Sequence, residues 1–245
     1  DSVKGVIVTS GKPIFMAGAD LRALLEDIPD KGAFTQTILE MHKGMREIET
    51  GGKPFVAAIN GTALGGGLEL CLACHHRIAL NSTKIKIGFP EIKVGLFPGG
   101  GGTVKAPYLM GVQTALMYLL QGIEARPPKA LKDGLIDAVA ETEEEMLAAA
   151  KAYILAKPNP VQPWDNKKHR IPGGNIWTPN GVQTMVGASG NVGKLTHGNY
   201  PSAQKIIKVI HDGIQIPVDR ALEIEARNFT AAASTPEAKN MIRTG

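Results

Sequence analysis

Residues 60–102 read NGTALGGGLELCLACHHRIALNSTKIKIGFPEIKVGLFPGGGG. Three glycines, Gly65, Gly66 and Gly67, precede a run of good helix formers from Leu68 to about His75. They therefore stand at a helix N-terminus, where backbone N–H groups lack intrahelical acceptors and point outward. Just inside that helix lies a carboxylate, Glu69, among apolar neighbours. Burying it there is expensive, which calls for a buried partner or a catalytic role. A second carboxylate, Glu91, sits in IGFPEIKVGLF, ahead of another turn-rich run from Pro98 to Gly102. Taken singly, the glycines read as a tight strand-to-helix turn and Glu91 as a surface loop residue. Together, two acids beside two glycine loops fit a pair working on one substrate atom and its neighbour. The amides of the first loop would then serve as an oxyanion hole.

Towards the amino end, Gly51, Gly52 and Pro54 close a helix and lead into a buried strand, Phe55 to Ile59. Val3 to Thr9 reads as another interior strand. Between them SGKPIFMAGAD is a loop in which Gly18 frees the backbone and Asp20 caps a helix from Leu21, broken at residues 29–33. Phe34, Ile38, Met41, Met45 and Ile48 then form one helical stripe facing a core. Towards the carboxyl end, Arg77 to Leu80 and Lys84 to Gly88 read as short strands, and Val112 to Leu120 as a helix. A short helix follows Pro127 and ends at Gly134, and Leu135 to Ala140 is a strand. Thr142 and Glu145 make a capping box that opens a helix to about Ala156. From Lys157 the chain turns proline-rich and aperiodic; helical pattern returns at Pro201 and from Val218 to Ala233. The expected organisation is a core over residues 1–156, followed by an irregular linker and helical tail over 157–245.

A chain of 245 residues, 43% hydrophobic, can bury a substantial core. Its 27 basic and 23 acidic residues are interleaved, aromatics are few, and the net charge is +4. That pattern argues against nucleic acid and suits an anionic, phosphate-bearing ligand. No apolar run approaches the roughly 20 residues of a membrane span and no signal peptide opens the chain, so a cytoplasmic setting is expected. The absence of an initiator Met and an opening that already reads as a strand predict an excerpt of a longer chain. CLACHH matches a haem-attachment pattern ending at His75, and Cys71, Cys74, His75 and His76 could be read as zinc ligands. No export signal or second ligand pair supports either, and two reduced thiols on a buried helix is the preferred reading. GASGNVGKL, residues 187–195, imitates a phosphate-binding loop, but Ala188 replaces the required glycine and Leu195 the hydroxyl residue.

The runs FMAGADLRAL, VAAINGTALGGGLELCLACHHR, IGFPEIKVGLFPGGGGT and ALKDGLIDAV resemble the enoyl-CoA hydratase/isomerase (crotonase) superfamily in order and spacing. The tail, from HGNYPSAQKIIKVIHDG onward, is similar to the end of the hydratase half of multifunctional fatty-acid oxidation proteins of the α-subunit type. The resemblance implies an α/β crotonase (ClpP/crotonase-like) spiral of ββα units with a C-terminal helical appendage, some of whose first strands would precede Val3. It implies that the N–H groups of Ala19 and Gly66 form the oxyanion hole. Glu69 and Glu91 match the two catalytic glutamates. Ala19, Asp20, Leu21 and Arg22 would lie along the CoA moiety, and Gly99 would line the water and acyl site. The implied activity is addition of water to trans-2-enoyl-CoA, giving 3-hydroxyacyl-CoA in fatty-acid β-oxidation, with a 3-hydroxyacyl-CoA dehydrogenase half following in the parent. Coenzyme A enters as the substrate thioester and no metal or other cofactor is implied. A homo-oligomer or a complex with a thiolase subunit are the expected assemblies. A Δ3-Δ2 enoyl-CoA isomerase is the alternative within the superfamily; a noncatalytic CoA-ester-binding scaffold for a thiolase is the alternative outside enzymes.

Overall fold

Each turn of the chain lays one short strand in each of two sheets and then runs a helix across them. The computed structural model describes residues 2–18, 24–25, 28–196 and 200–244. The first turn is β1 (Val6–Val8), β2 (Ile14–Met16) and α1 (Lys31–Thr50); the second is β3 (Phe55–Ile59), β4 (Thr62–Leu64) and α2 (Gly66–Ala73). The third is β5 (His76–Leu80), β6 (Ile87–Gly88), then α3 (Gly102–Met110) and α4 (Val112–Gln121). After β7 (Glu124–Ala125) and α5 (Pro127–Lys132), β8 (Ala138–Ala140) closes the first sheet and α6 (Glu143–Ala156) covers it. The first sheet has the order β1-β3-β5-β8, all parallel. The second is β2-β4-β6-β7, parallel except for the antiparallel β6–β7 pair. This is the spiral of ββα units expected from the sequence.

Strand β3 shows why its sequence is apolar on both faces. Ala57 and Ile59 point into the main core, whereas Val56 and Ala58 pack under α6 with Met146, Ala150 and Ile154. A parallel strand covered on both sides reads as a continuous apolar run. The capping box forms as expected: Thr142 accepts from the N–H of Glu145 at 3.1 Å. The helical tail comprises α7 (Pro179–Thr196), α8 (Pro201–Gly213), α9 (Val218–Ala233) and α10 (Pro236–Thr244). Ile206, Val209, Ile210, Ala221 and Leu222 from this tail share one core with Phe89, Phe97 and Leu119.

Several local expectations need correction. The strand expected over Lys84–Gly88 is reduced to Ile87 and Gly88, and α3 and α7 occur where no helix was expected. The α1 stripe is rotated: Met41 is exposed, while His42 and Glu49 are buried beside Ile38. Burial of the polar pair follows from their partners. Glu49 takes an ion pair from Lys105 at 2.5 Å and a hydrogen bond from the Trp164 indole at 2.8 Å. His42 faces α9, which runs antiparallel to α1 and is tied to it by the Thr35–Thr230 hydroxyl pair at 2.8 Å and by Arg46–Asp219 at 2.9 Å. The Asp20 cap and the start of its helix at Leu21 lie outside the described residues.

Candidate active site

The site forms where α2 begins, against the loop that precedes α3. Gly67 lets α2 start hard against β2: a Cβ there would stand 2.1 Å from the Met16 carbonyl oxygen. Gly66 is the first residue of α2, so its N–H has no acceptor within the helix. It lies beside Gly18, 3.8 Å from that residue's Cα when measured from the position a Cβ would occupy. The expected second amide of the oxyanion hole, Ala19, lies outside the described residues, as do Asp20, Leu21 and Arg22; the described chain up to Gly18 does lead to Gly66.

One turn into α2, Glu69 is buried and its Oε1 accepts from two N–H groups of the glycine loop, Gly100 at 2.6 Å and Gly102 at 2.7 Å. Glu91 opens a single 3₁₀ turn (Glu91–Val94) that ends on the left-handed Gly95. Its carboxylate comes over the first glycine turn: a Cβ on Gly65 would stand 2.6 Å from Glu91 Oε1. Glu91 Oε2 is fully buried with no hydrogen-bond partner among the described residues. Gly66 and Glu69 of α2 are thus brought together with Glu91 of the 3₁₀ turn. Gly99 is buried at the edge of this group; the side on which it lacks a Cβ is filled by the Phe229 ring, 2.6 Å from that position, and its carbonyl meets His42 Nε2 at 2.7 Å.

Both acids hold a proton more tightly than an exposed glutamate does, and the causes are local. Burial raises Glu69, and the nearby charge of Glu225 adds to it; the amides of Gly102 and Gly100 and the His42 side chain pull the other way, leaving the pKa at about 7. Glu91 is pushed well above the carboxylate range, by burial first and by the neighbouring Glu69 charge second, with only its own backbone amide opposing and Glu225 adding to the rise. Buried acids whose proton affinities are raised together at one place are the pattern of acid–base sites.

Two residues of this site, His42 and Glu225, are not among those the sequence singles out. Both lie on faces shared with buried apolar residues, Ile38 on α1 and Leu222 and Ala226 on α9. A polar residue placed on such a stripe is the sign that could have found them. Cys71 and Cys74 are free and buried, and burial pushes the Cys74 thiol up to about 12. The Cys71 thiol donates to the Gly67 carbonyl at 3.2 Å. Among the described residues no group of three or more His, Cys, Asp or Glu side chains is placed to hold a metal ion.

The profile of the family described as "Enoyl-CoA hydratase/isomerase" matches residues 1–159. The chain belongs to the enoyl-CoA hydratase/isomerase family. Among its relatives are the proteins named "Fatty acid oxidation complex subunit alpha" from Pseudomonas aeruginosa, 39% identical over 246 residues, and from Shewanella amazonensis, 40% identical over 240. These alignments cover 98% and 96% of this chain but 34% and 33% of the relatives, so the chain spans about a third of their length. Solved structures show the same fold. A carnitinyl-CoA dehydratase from Mycobacterium thermoresistibile superposes with TM-score 0.70 at 18% identity, covering 99% of this chain and 76% of that one. An enoyl-CoA hydratase from Bacillus halodurans superposes with TM-score 0.64 at 23% identity, covering 98% and 82%. The fold of this family member is therefore the crotonase fold. Among the described residues no helix is long and apolar enough to cross a membrane.

Proposed function

We propose that this chain is an enoyl-CoA hydratase, adding water across the double bond of a trans-2-enoyl-CoA thioester in fatty-acid β-oxidation. The observation that carries the reading is the placement of two carboxylates, buried Glu69 and half-buried Glu91, beside the helix-N-terminal amide of Gly66. Attack of water on C3 moves electron density onto the thioester oxygen, which needs donors already aimed at it. The N–H of Gly66, joined by that of Ala19, would supply them, and losing one such donor costs on the order of 10²–10³ in rate. Glu69, held by the Gly100 and Gly102 amides, would take the proton from the attacking water as its oxygen bonds to C3. Glu91, whose proton affinity burial raises, would deliver a proton to C2 as the enolate collapses. One proton is taken up and one released, so the net addition is one water. No redox step is required. Asp20, Leu21 and Arg22 would lie along the CoA moiety and Gly99 would border the acyl site.

The relatives' name, a subunit of a fatty acid oxidation complex, supports a place in such an assembly. We infer a thiolase subunit as its partner and the cytoplasm as its setting. The test is turnover. Glu69→Gln and Glu91→Gln should each lower hydration of a trans-2-enoyl-CoA at least about a hundredfold while CoA-ester binding is retained. Near-normal turnover in either variant would refute the assignment. Offering a 3-enoyl thioester to the wild-type chain separates hydration from double-bond migration, and binding without any turnover would identify a scaffold.

A further inference from the structure

The loop before α3 is read by two carboxylates, not one. Gly100 and Gly102 direct their amides to Glu69, whereas the intervening Gly101 donates to Glu225 Oε1 at 2.6 Å and Val104 donates to Glu225 Oε2 at 3.1 Å. The alternation depends on Gly101, whose φ of +101° turns its amide away from its neighbours'. Gly101 is the N-cap of α3 and has no side chain to satisfy the helix's first amides. Glu225, from α9, supplies that cap instead, its two oxygens reaching amides 124 and 121 residues away in the chain. It is fully buried, and its Oε1 lies 3.4 Å from His42 Nε2, which also meets the Gly99 carbonyl at 2.7 Å. His42 and Glu225 therefore hold the loop at alternate positions, Gly99 and Gly101, on either side of the Gly100 amide that binds Glu69.

We propose that Glu225 on α9 and His42 on α1 are a positioning pair for the acid–base site, fixing the loop amides that hold Glu69 and placing two opposite charges beside it. The proposal deepens the hydratase reading, in which Glu69 is the base, and rests on that reading for its catalytic meaning. The charged groups facing Glu69 are Glu225 from α9, His42 from α1 and Glu91 from the 3₁₀ turn, with Lys105 of α3 acting on His42 from its ion pair with Glu49. Glu225 raises the proton affinity of Glu69 and His42 lowers it. For His42, burial opposes the charged ring, but its hydrogen bond and proximity to Glu225 and its contact with the Gly99 carbonyl leave its proton affinity raised.

The experiment is a pair of substitutions with one direct readout. Glu225→Gln removes the negative charge while keeping an acceptor for the loop, and His42→Gln removes the positive one while keeping a donor for the Gly99 carbonyl. Glu69 is titrated by carboxyl-¹³C NMR in protein labelled at glutamate, its signal identified by loss in Glu69→Gln, and the acid limb of kcat for trans-2-enoyl-CoA hydration is recorded alongside. Glu225→Gln should move both midpoints to lower pH by about one pH unit, and His42→Gln should move them to higher pH. A role limited to stability would lower the melting temperature in both variants without opposite displacements. If one variant fails to fold, the sign of the other decides. Midpoints that stay put or move in the same direction overturn the inference. Opposite displacements of the Glu69 signal in a protein that does not hydrate the thioester leave the pairing standing and sink the hydratase assignment instead.

Discussion

Glu91 costs the protein stability in return for its position. Burial and the adjacent Glu69 hold its carboxyl well above the ordinary value of 4.5, and its Oε2 finds no partner among the described residues. A carboxyl whose proton affinity is raised by folding contributes most below its unfolded pKa and loses that contribution as pH rises towards the folded one. Glutamine at this position is neutral at every pH and escapes the loss. In thermal melts from pH 4.5 to pH 8, Glu91→Gln should melt progressively higher than wild type as pH rises, by at least about 2 °C at the upper end. A gap that does not widen with pH would show that the carboxyl is not strained by its surroundings. Glu69, at about 7, should show the same sign over a narrower window, between 4.5 and about 7. Glu69 and Glu91 were both legible in the sequence because each is a lone carboxylate in an apolar run. His42 and Glu225 carry only the weaker sign of a polar residue on an apolar stripe, because the loop each satisfies is distant in the chain.

At the scale of elements, the two glycine-rich turns have different jobs. Gly67 allows close approach of α2 to β2, with only 2.1 Å available to a Cβ before the Met16 carbonyl. Gly67→Ala should therefore push α2 off β2 and carry the neighbouring Gly66 amide with it. We expect a loss of about 1–3 kcal/mol in stability by denaturant unfolding, with a fall in kcat beyond what the unfolded fraction explains. Unchanged unfolding and turnover would mean that α2 slides without consequence. The helices that were hard to read have physical reasons for it. α3 carries Pro107 inside it and a glycine N-cap, its capping carboxylate arriving from α9. α7 contains Gly187, Gly190 and Gly193, each costing about 1 kcal/mol of helix propensity relative to alanine. By contrast β3 and α6 declare themselves locally, the one by an unbroken apolar run and the other by its Thr142–Glu145 cap.

For the whole molecule, the tail is part of the core that the ββα turns enclose. Ala221 and Leu222 of α9 and Ile206 and Ile210 of α8 pack with Phe89 and Phe97, and Phe229 meets Phe97 edge to face at 5.7 Å between ring centres. A chain ending at residue 196 should lose cooperative unfolding and bind ANS, since it would expose these aromatic and aliphatic surfaces. A cooperative melt from that fragment would show that the spiral is self-sufficient. The spiral of ββα units was implied by the family resemblance that the motif order carries, whereas periodicity located only single elements such as β3 and α6. The interlocking of α1 with α9 was not, because it depends on contacts such as Thr35–Thr230 that join residues 195 apart.

The capping of α3 by Glu225 also bears on biosynthesis. A ribosome exposes α2 and the glycine loop long before it exposes α9, so an emerging polypeptide holds both acids without the brace that organises the loop between them. Such a nascent chain should be chemically silent towards thioesters until α9 has left the exit tunnel.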